Sequence, residues 1–253
     1  MLSLPGDIDI ALYALVAAIA FVAAFIGGVT GYGTGLLLPP VLLPIVGPQY
    51  VVPIISLSAL LTNGSRVVAF FSELDRQKML LISSVALPTC ALGAFGYTRL
   101  SGAGISILIG LVLIVLVPLR RYLMRLHGHL SGKGLTTAGI GYGLLTGGTS
   151  GAGIVLLTIL LAAGLHGPAV IATDAGISLI LGLAKVLVFQ SAGALPASAW
   201  IMAVLIGISA LPGPFLAKRF TRNISHAAHA MILDGVVVFG GLLLVGQGVR
   251  ALF

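Results

Sequence analysis

Long apolar runs, interrupted by glycine, proline and short basic stretches, divide the chain into ten segments. They are read at about Ile10–Ile26, Leu36–Val46, Gln49–Phe71, Met79–Thr98, Leu100–Leu119, Leu135–Thr146, Ile154–Leu165, Pro168–Gln190, Ser198–Ala217 and Ala227–Val249. Most approach the ~20 apolar residues that a bilayer-crossing helix needs. Three are shorter, the second, sixth and seventh, and these flank two glycine breaks. Residues 27–35 read GGVTGYGTG and residues 147–153 read GGTSGAG. Glycine has no Cβ, so at such a break the backbone can turn and approach a ligand closely. The helix that follows opens with N–H groups lacking an in-helix acceptor and with the positive end of its dipole. The pattern predicts an all-α polytopic membrane protein in which short pieces beside the breaks are half-helices or re-entrant hairpins. Such backbone survives in a bilayer only when it is buried in protein or lines a cavity.

The breaks are two copies of one pattern. A shift of 120 residues aligns Gly27, Gly28, Gly31 and Gly33 with Gly147, Gly148, Gly151 and Gly153, Thr30 with Ser150, and Gly47-Pro48 with Gly167-Pro168. Beyond residue 196 a shift of 124 aligns Leu87-Pro88 with Leu211-Pro212 and Ser101 with Ser225. The chain therefore reads as an N-terminal membrane repeat (1–119), a basic linker (120–134) and a C-terminal membrane repeat (135–253). Five segments per half is an odd number, which gives the two halves opposite orientation: an inverted repeat, the plan of many secondary transporters.

Composition sharpens the class and charge supplies the topology. Of 253 residues, 58% are hydrophobic and 8% charged, against about 25% charged in soluble domains. No charged residue occurs between Asp9 and Arg66. The net charge of +7 does not point to nucleic acid, because the basic residues sit in short loops beside apolar spans. Nine of the thirteen fall in three clusters: Arg76 and Lys78; Arg120, Arg121, Arg125 and Lys133; Lys218, Arg219 and Arg222. The positive-inside rule assigns all three to the cytoplasm. The uncharged loop 191–197 and both termini then fall outside. The acidic N-terminus, without Lys or Arg, is unlike a signal peptide, and Cys90 alone permits no disulfide within one chain.

At GYGTGLLLPPVLLP (31–44) and GGTSGAGIVLLTILLAAG (147–164) the sequence resembles the sulfite exporter TauE/SafE family of membrane permeases. Length, two-copy layout and basic central loop fit as well. The second copy carries Ile154-Val155 where the family pattern implies Gly or Pro. The resemblance implies movement of small sulfur-containing anions, such as sulfite or organosulfonates, across a cell (inner) membrane, with a homodimer as a possible assembly. It implies no cofactor and no enzymatic activity.

An ionisable residue within a span costs ~2.5–3.5 kcal/mol on insertion scales and so calls for a reason. Arg66 lies about five residues before the cytoplasmic end of segment three and Lys185 about five before the outer end of segment eight; they become neighbours under the repeat, where Ser65 aligns with Lys185. They read as cations flanking an anion site, with snorkelling as the alternative. Asp174 falls at the inferred depth of Arg66, where it would pair with that guanidinium or carry a coupling proton. Asp234 is a second proton-carrying candidate. Asn63 shares a helix face with Arg66, and Thr30 and Ser150 offer hydroxyls at the breaks. With Gly28, Gly31, Gly33, Gly148, Gly151 and Gly153 these residues form the expected binding set for a small anion. No metal cluster, phosphate-binding loop or dinucleotide fingerprint is present in the sequence. Competing readings are an anion channel or structural membrane protein, and an intramembrane serine protease. The protease reading rests on Gly148-Thr149-Ser150-Gly151, which matches a GxSG motif, with a histidine downstream as base. The first break carries GVTG at the matching place, so the repeat already explains the motif.

Overall fold

The computed structural model describes residues 10–30, 34–125, 130–220, 238 and 241–251. Among these residues every regular element is a helix: α1 (Ile10–Thr30), α2 (Thr34–Val46), α3 (Pro48–Ala69), a 3-10 turn (Phe71–Glu73), α4 (Arg76–Thr98), α5 (Gly102–Arg125), α6 (Gly132–Gly148), α7 (Gly153–Ala162), α8 (Pro168–Ser191), α9 (Ala197–Ala210) and α10 (Pro212–Phe220). Residues 241–250 are also helical. Among the described residues six stretches are long and apolar enough to cross a membrane. The protein is a multi-pass helical membrane protein.

Local chemistry sets the helix boundaries. Gly47 (φ 84°) and Gly167 (φ 56°) turn the chain immediately before Pro48 and Pro168, which open α3 and α8; proline at the first helical position gives up only an N–H that had no partner there. Asp75 caps α4, accepting from the Lys78 N–H at 2.9 Å and from the Lys78 ammonium at 2.8 Å. Those bonds hold its carboxyl below the ordinary carboxylate range. Ser131 caps α6 through the Gly134 N–H.

Three boundaries differ from the sequence expectation. Gly27-Gly28 and Gly147-Gly148 do not break their helices but form the last turns of α1 and α6, since glycine is tolerated inside membrane helices. The interruptions fall just after them, so α6 has 17 residues, or ~26 Å at 1.5 Å per residue, and is nearly a full span. Of the three segments read as short, α2 and α7 remain so, with 13 and 10 residues. Segment nine becomes two helices joined at Leu211-Pro212, where proline removes a backbone donor. Of segment ten, residues 238 and 241–249 are described, and Asp234 lies outside the described residues.

α3 and α8 form the centre. Each buries 61% of its span, against 28% for α1 and for α4. They pack on one another; α4 packs on α6 and α8, and α9 on α1 and α3, with α10 also on α1. The α4–α6 contact is made by glycine. A Cβ at Gly143 would collide with the Ala86 carbonyl and one at Gly147 with the Cys90 carbonyl. Small residues at i and i+4 let helix backbones approach where lipid supplies no hydrophobic drive. Large apolar side chains such as Leu92, Phe95, Val115, Leu187, Ile201 and Phe215 stay exposed on the outer faces, as a lipid-facing surface requires.

Candidate functional site

Polar residues on α3, α6 and α8 face one another. On α3 they are Ser56, Thr62, Asn63 and Arg66, on α6 Tyr142 and Thr146, and on α8 Asp174, Ser178 and Lys185, all lining one cavity of about 120 Å³. The interruptions add Thr34, Gly35 and Leu36 from the start of α2 and Thr149 to Gly153 leading into α7, and α1 and α10 add Ala24, Gly27 and Pro214. The two breaks, 116 residues apart at Gly35 and Gly151 (151 − 35), meet there. A Cβ on Gly35 would lie 2.7 Å from the Gly151 nitrogen, and Gly151 itself holds φ 86°. Both positions therefore require glycine, one for close approach and the other for a left-handed backbone.

The charged groups are held tightly. Arg66 Nη1 lies 3.4 Å from Asp174 Oδ2, with the two side chains 13% and 2% exposed. Asn63 Oδ1 accepts a hydrogen bond from Arg66 Nη2. Lys185, 7% exposed, does not snorkel. Its ammonium donates to the carbonyls of Thr146 at 2.7 Å and Thr149 at 3.0 Å. These carbonyls belong to the last turn and cap of α6, where the helix leaves acceptors unused and carries its negative dipole end. Two polar atoms lining the cavity, Ser150 Oγ and Asp174 Oδ1, are buried with no hydrogen-bond partner among the described residues. Tyr142 lies within side-chain hydrogen-bonding reach of Thr146 and Ser178.

Of the residues singled out from sequence, the structure brings Asn63, Arg66, Ser150, Gly151, Gly153, Asp174 and Lys185 to this one cavity. Gly148 packs beside it against Gly93. Gly28 and Thr30 fall in the last turn of α1, while Gly31, Gly33 and Asp234 lie outside the described residues. Tyr142, Thr146, Thr149, Ser178, Ser56, Thr62 and Thr34 were not anticipated. Their signal was the helical spacing itself, since 56, 59, 63, 66 and 174, 178, 181, 185 each trace one face of a helix. No histidine is among the cavity-lining residues, and His166 is exposed on the α7–α8 connection. Among the described residues no histidine lies beside Ser150 to act as base; His226 and His229 lie outside them.

A bundle of apolar helices enclosing a cavity lined by two cations, one carboxylate and hydroxyls is the architecture of a membrane permease. The chain belongs to the Sulfite exporter TauE/SafE family, whose model matches residues 16–244. No curated protein and no solved structure matches it.

Proposed function

We propose that the protein is a secondary transporter, and by family an exporter, of a small sulfur-containing anion such as sulfite or an organosulfonate. The observation that carries this reading is the meeting of both glycine breaks at a single cavity with a formal charge of +1, from Arg66 and Lys185 against Asp174. An anion entering there gives up water and gains the Arg66 guanidinium, the Ser150 hydroxyl and the first-turn N–H groups of α2 and α7, which favour negative charge. The cavity is well below the ~300–1,000 Å³ of sites for drug-sized ligands, which favours a compact oxyanion.

Alternating access follows from an inverted repeat, in which one half rocks against the other around a fixed site. The packing supports this plan. α4 against α6 and α8 is answered by α9 and α10 against α1 and by α9 against α3, and the central α3–α8 contact relates the two halves to each other. The test is flux of labelled sulfite, methanesulfonate and carboxylates into proteoliposomes under several pH gradients. Saturable flux selective for sulfur oxyanions is expected. Absence of flux for every anion, or non-saturating conductance, would overturn the reading, the latter in favour of a channel.

A further inference from the structure

A substrate anion approaching Arg66 meets a guanidinium that already faces Asp174. The carboxylate already occupies one edge of the guanidinium, at 3.4 Å. Asp174 lines the cavity, and its second oxygen has no donor among the described residues. A buried carboxylate satisfied at one oxygen only is costly unless its charge is matched, and here that match is the group the substrate also needs.

We propose, on the reading of the protein as an anion transporter, that Asp174 is the coupling group: it occupies Arg66 in the empty carrier, takes up one proton as the anion arrives, and releases it when the anion leaves. The step is a proton transfer from hydronium, which leaves as water, to Asp174 Oδ1 or Oδ2, with the carboxylate becoming a carboxylic acid. No other bond changes. Protonation has two consequences. It frees the guanidinium edge for the incoming oxyanion, and it turns Asp174 from a competitor into a donor, because a carboxylic acid has one O–H to give. The charges close on the same stoichiometry. Arg66, Lys185 and ionised Asp174 sum to +1. One proton raises this to +2, and a bound monoanion returns it to +1, so empty and loaded sites carry equal charge. Moving one unbalanced charge through the membrane field would cost ~2.3 kcal/mol per 100 mV. One proton per monoanion avoids that cost, and either direction of transport is then set by the combined gradients.

The surroundings allow Asp174 this role. Arg66 faces it from α3 and Tyr142 from α6. α7 carries no titratable side chain. On α4, buried Cys90 sits farther along α8, its Sγ 3.8 Å from the Leu181 carbonyl. The Asp75–Lys78 pair meets α8 at Thr173, whose hydroxyl accepts from the Asp75 N–H at 3.1 Å. Glu73 on the 3-10 turn is exposed. Lys185, on α8 itself, is engaged by the α6 carbonyls.

The test uses methanesulfonate, a monoanion whose own charge does not change near neutral pH, with the full-length protein in proteoliposomes carrying an internal pH dye. In the wild type, uptake should accelerate about tenfold for each unit of acidification on the side of entry until it saturates, with one proton entering per anion. Asp174→Asn, whatever its absolute rate, should show the same uptake at every pH and no proton movement. Asp174→Glu should restore both. Anion flux without proton entry in the wild type overturns the proposal, as does unaltered pH dependence and proton entry in Asp174→Asn. Failure of the wild type to move any anion would instead overturn the transporter reading on which the proposal rests.

Discussion

Arg66 and Lys185 are both cations in spans, yet their settings differ and so should their variants. Arg66→Gln removes the counter-charge from a carboxylate that is 2% exposed; leaving such a charge unpaired costs about 3–5 kcal/mol. Anion flux should vanish and folded yield should fall. Adding Asp174→Asn should recover the monodisperse protein by size-exclusion chromatography but not the flux. Recovery of both would remove Arg66 from the anion site. Lys185→Met leaves the Thr146 and Thr149 carbonyls without their ammonium donor, a loss of about 1–3 kcal/mol for the stranded acceptors, read as a lower Tm in detergent. An unchanged Tm would mean that the α6 end finds other donors. At this scale the sequence was informative about charge and poor about hydroxyls. An arginine or aspartate in an apolar run stands out, and the depth match between Arg66 and Asp174 corresponds to the observed ion pair. Ser56, Thr146 and Ser178 did not stand out, because small hydroxyl residues in membrane helices equally well bond their own helix, as Ser56 does to the Val52 carbonyl at 2.7 Å. Nor could any pattern in α8 reveal that Lys185 would reach across to the end of α6.

Among the elements, α4 and α6 are joined by a stripe that tolerates no added atom. Gly143→Ala should cost about 1–3 kcal/mol, the usual penalty of overpacking, because the new methyl meets the Ala86 backbone. Gly141→Ala, with nothing within 4 Å of the added Cβ, should be neutral or gain up to ~1 kcal/mol from helix propensity. Thermal unfolding of the two variants side by side checks this, and equal stability would contradict the packing. Helix starts beside Gly47-Pro48 and Gly167-Pro168 were legible; those after Asp75 and Ser131 were not, the segments there being read from Met79 and Leu135. Helix ends at the breaks were not. Gly27-Gly28 and Gly147-Gly148 look like breakers in isolation, but the close approach of α6 to α4 at Gly147 supplies a packing reason for glycine within a helix. Whether a glycine ends a helix or admits a neighbour depends on partners that lie far away in sequence.

For the whole molecule, the even alternation of spans and the basic clusters predict which loops share a side of the membrane. In a Cys90→Ala background, single cysteines at exposed Gln77 and Gly132 should be shielded from an impermeant maleimide in intact cells, and cysteines at exposed Ser101 and Ala192 should be labelled. Labelling of Gln77 and Ser101 from the same side would contradict a membrane crossing by α4 and with it the opposed halves. The overall helical membrane class was visible in hydropathy; the convergence of the breaks was not, because it depends on α3 and α8 packing face to face at the centre. The central claim is that Gly35 and Gly151 together shape the place where the anion sits. The most direct measurement is equilibrium binding of labelled sulfite to purified wild type and Gly151→Ala, both shown to be folded by circular dichroism. Saturable binding in the wild type that falls at least tenfold in Gly151→Ala is the result this account predicts, and equal binding by the two proteins would contradict it.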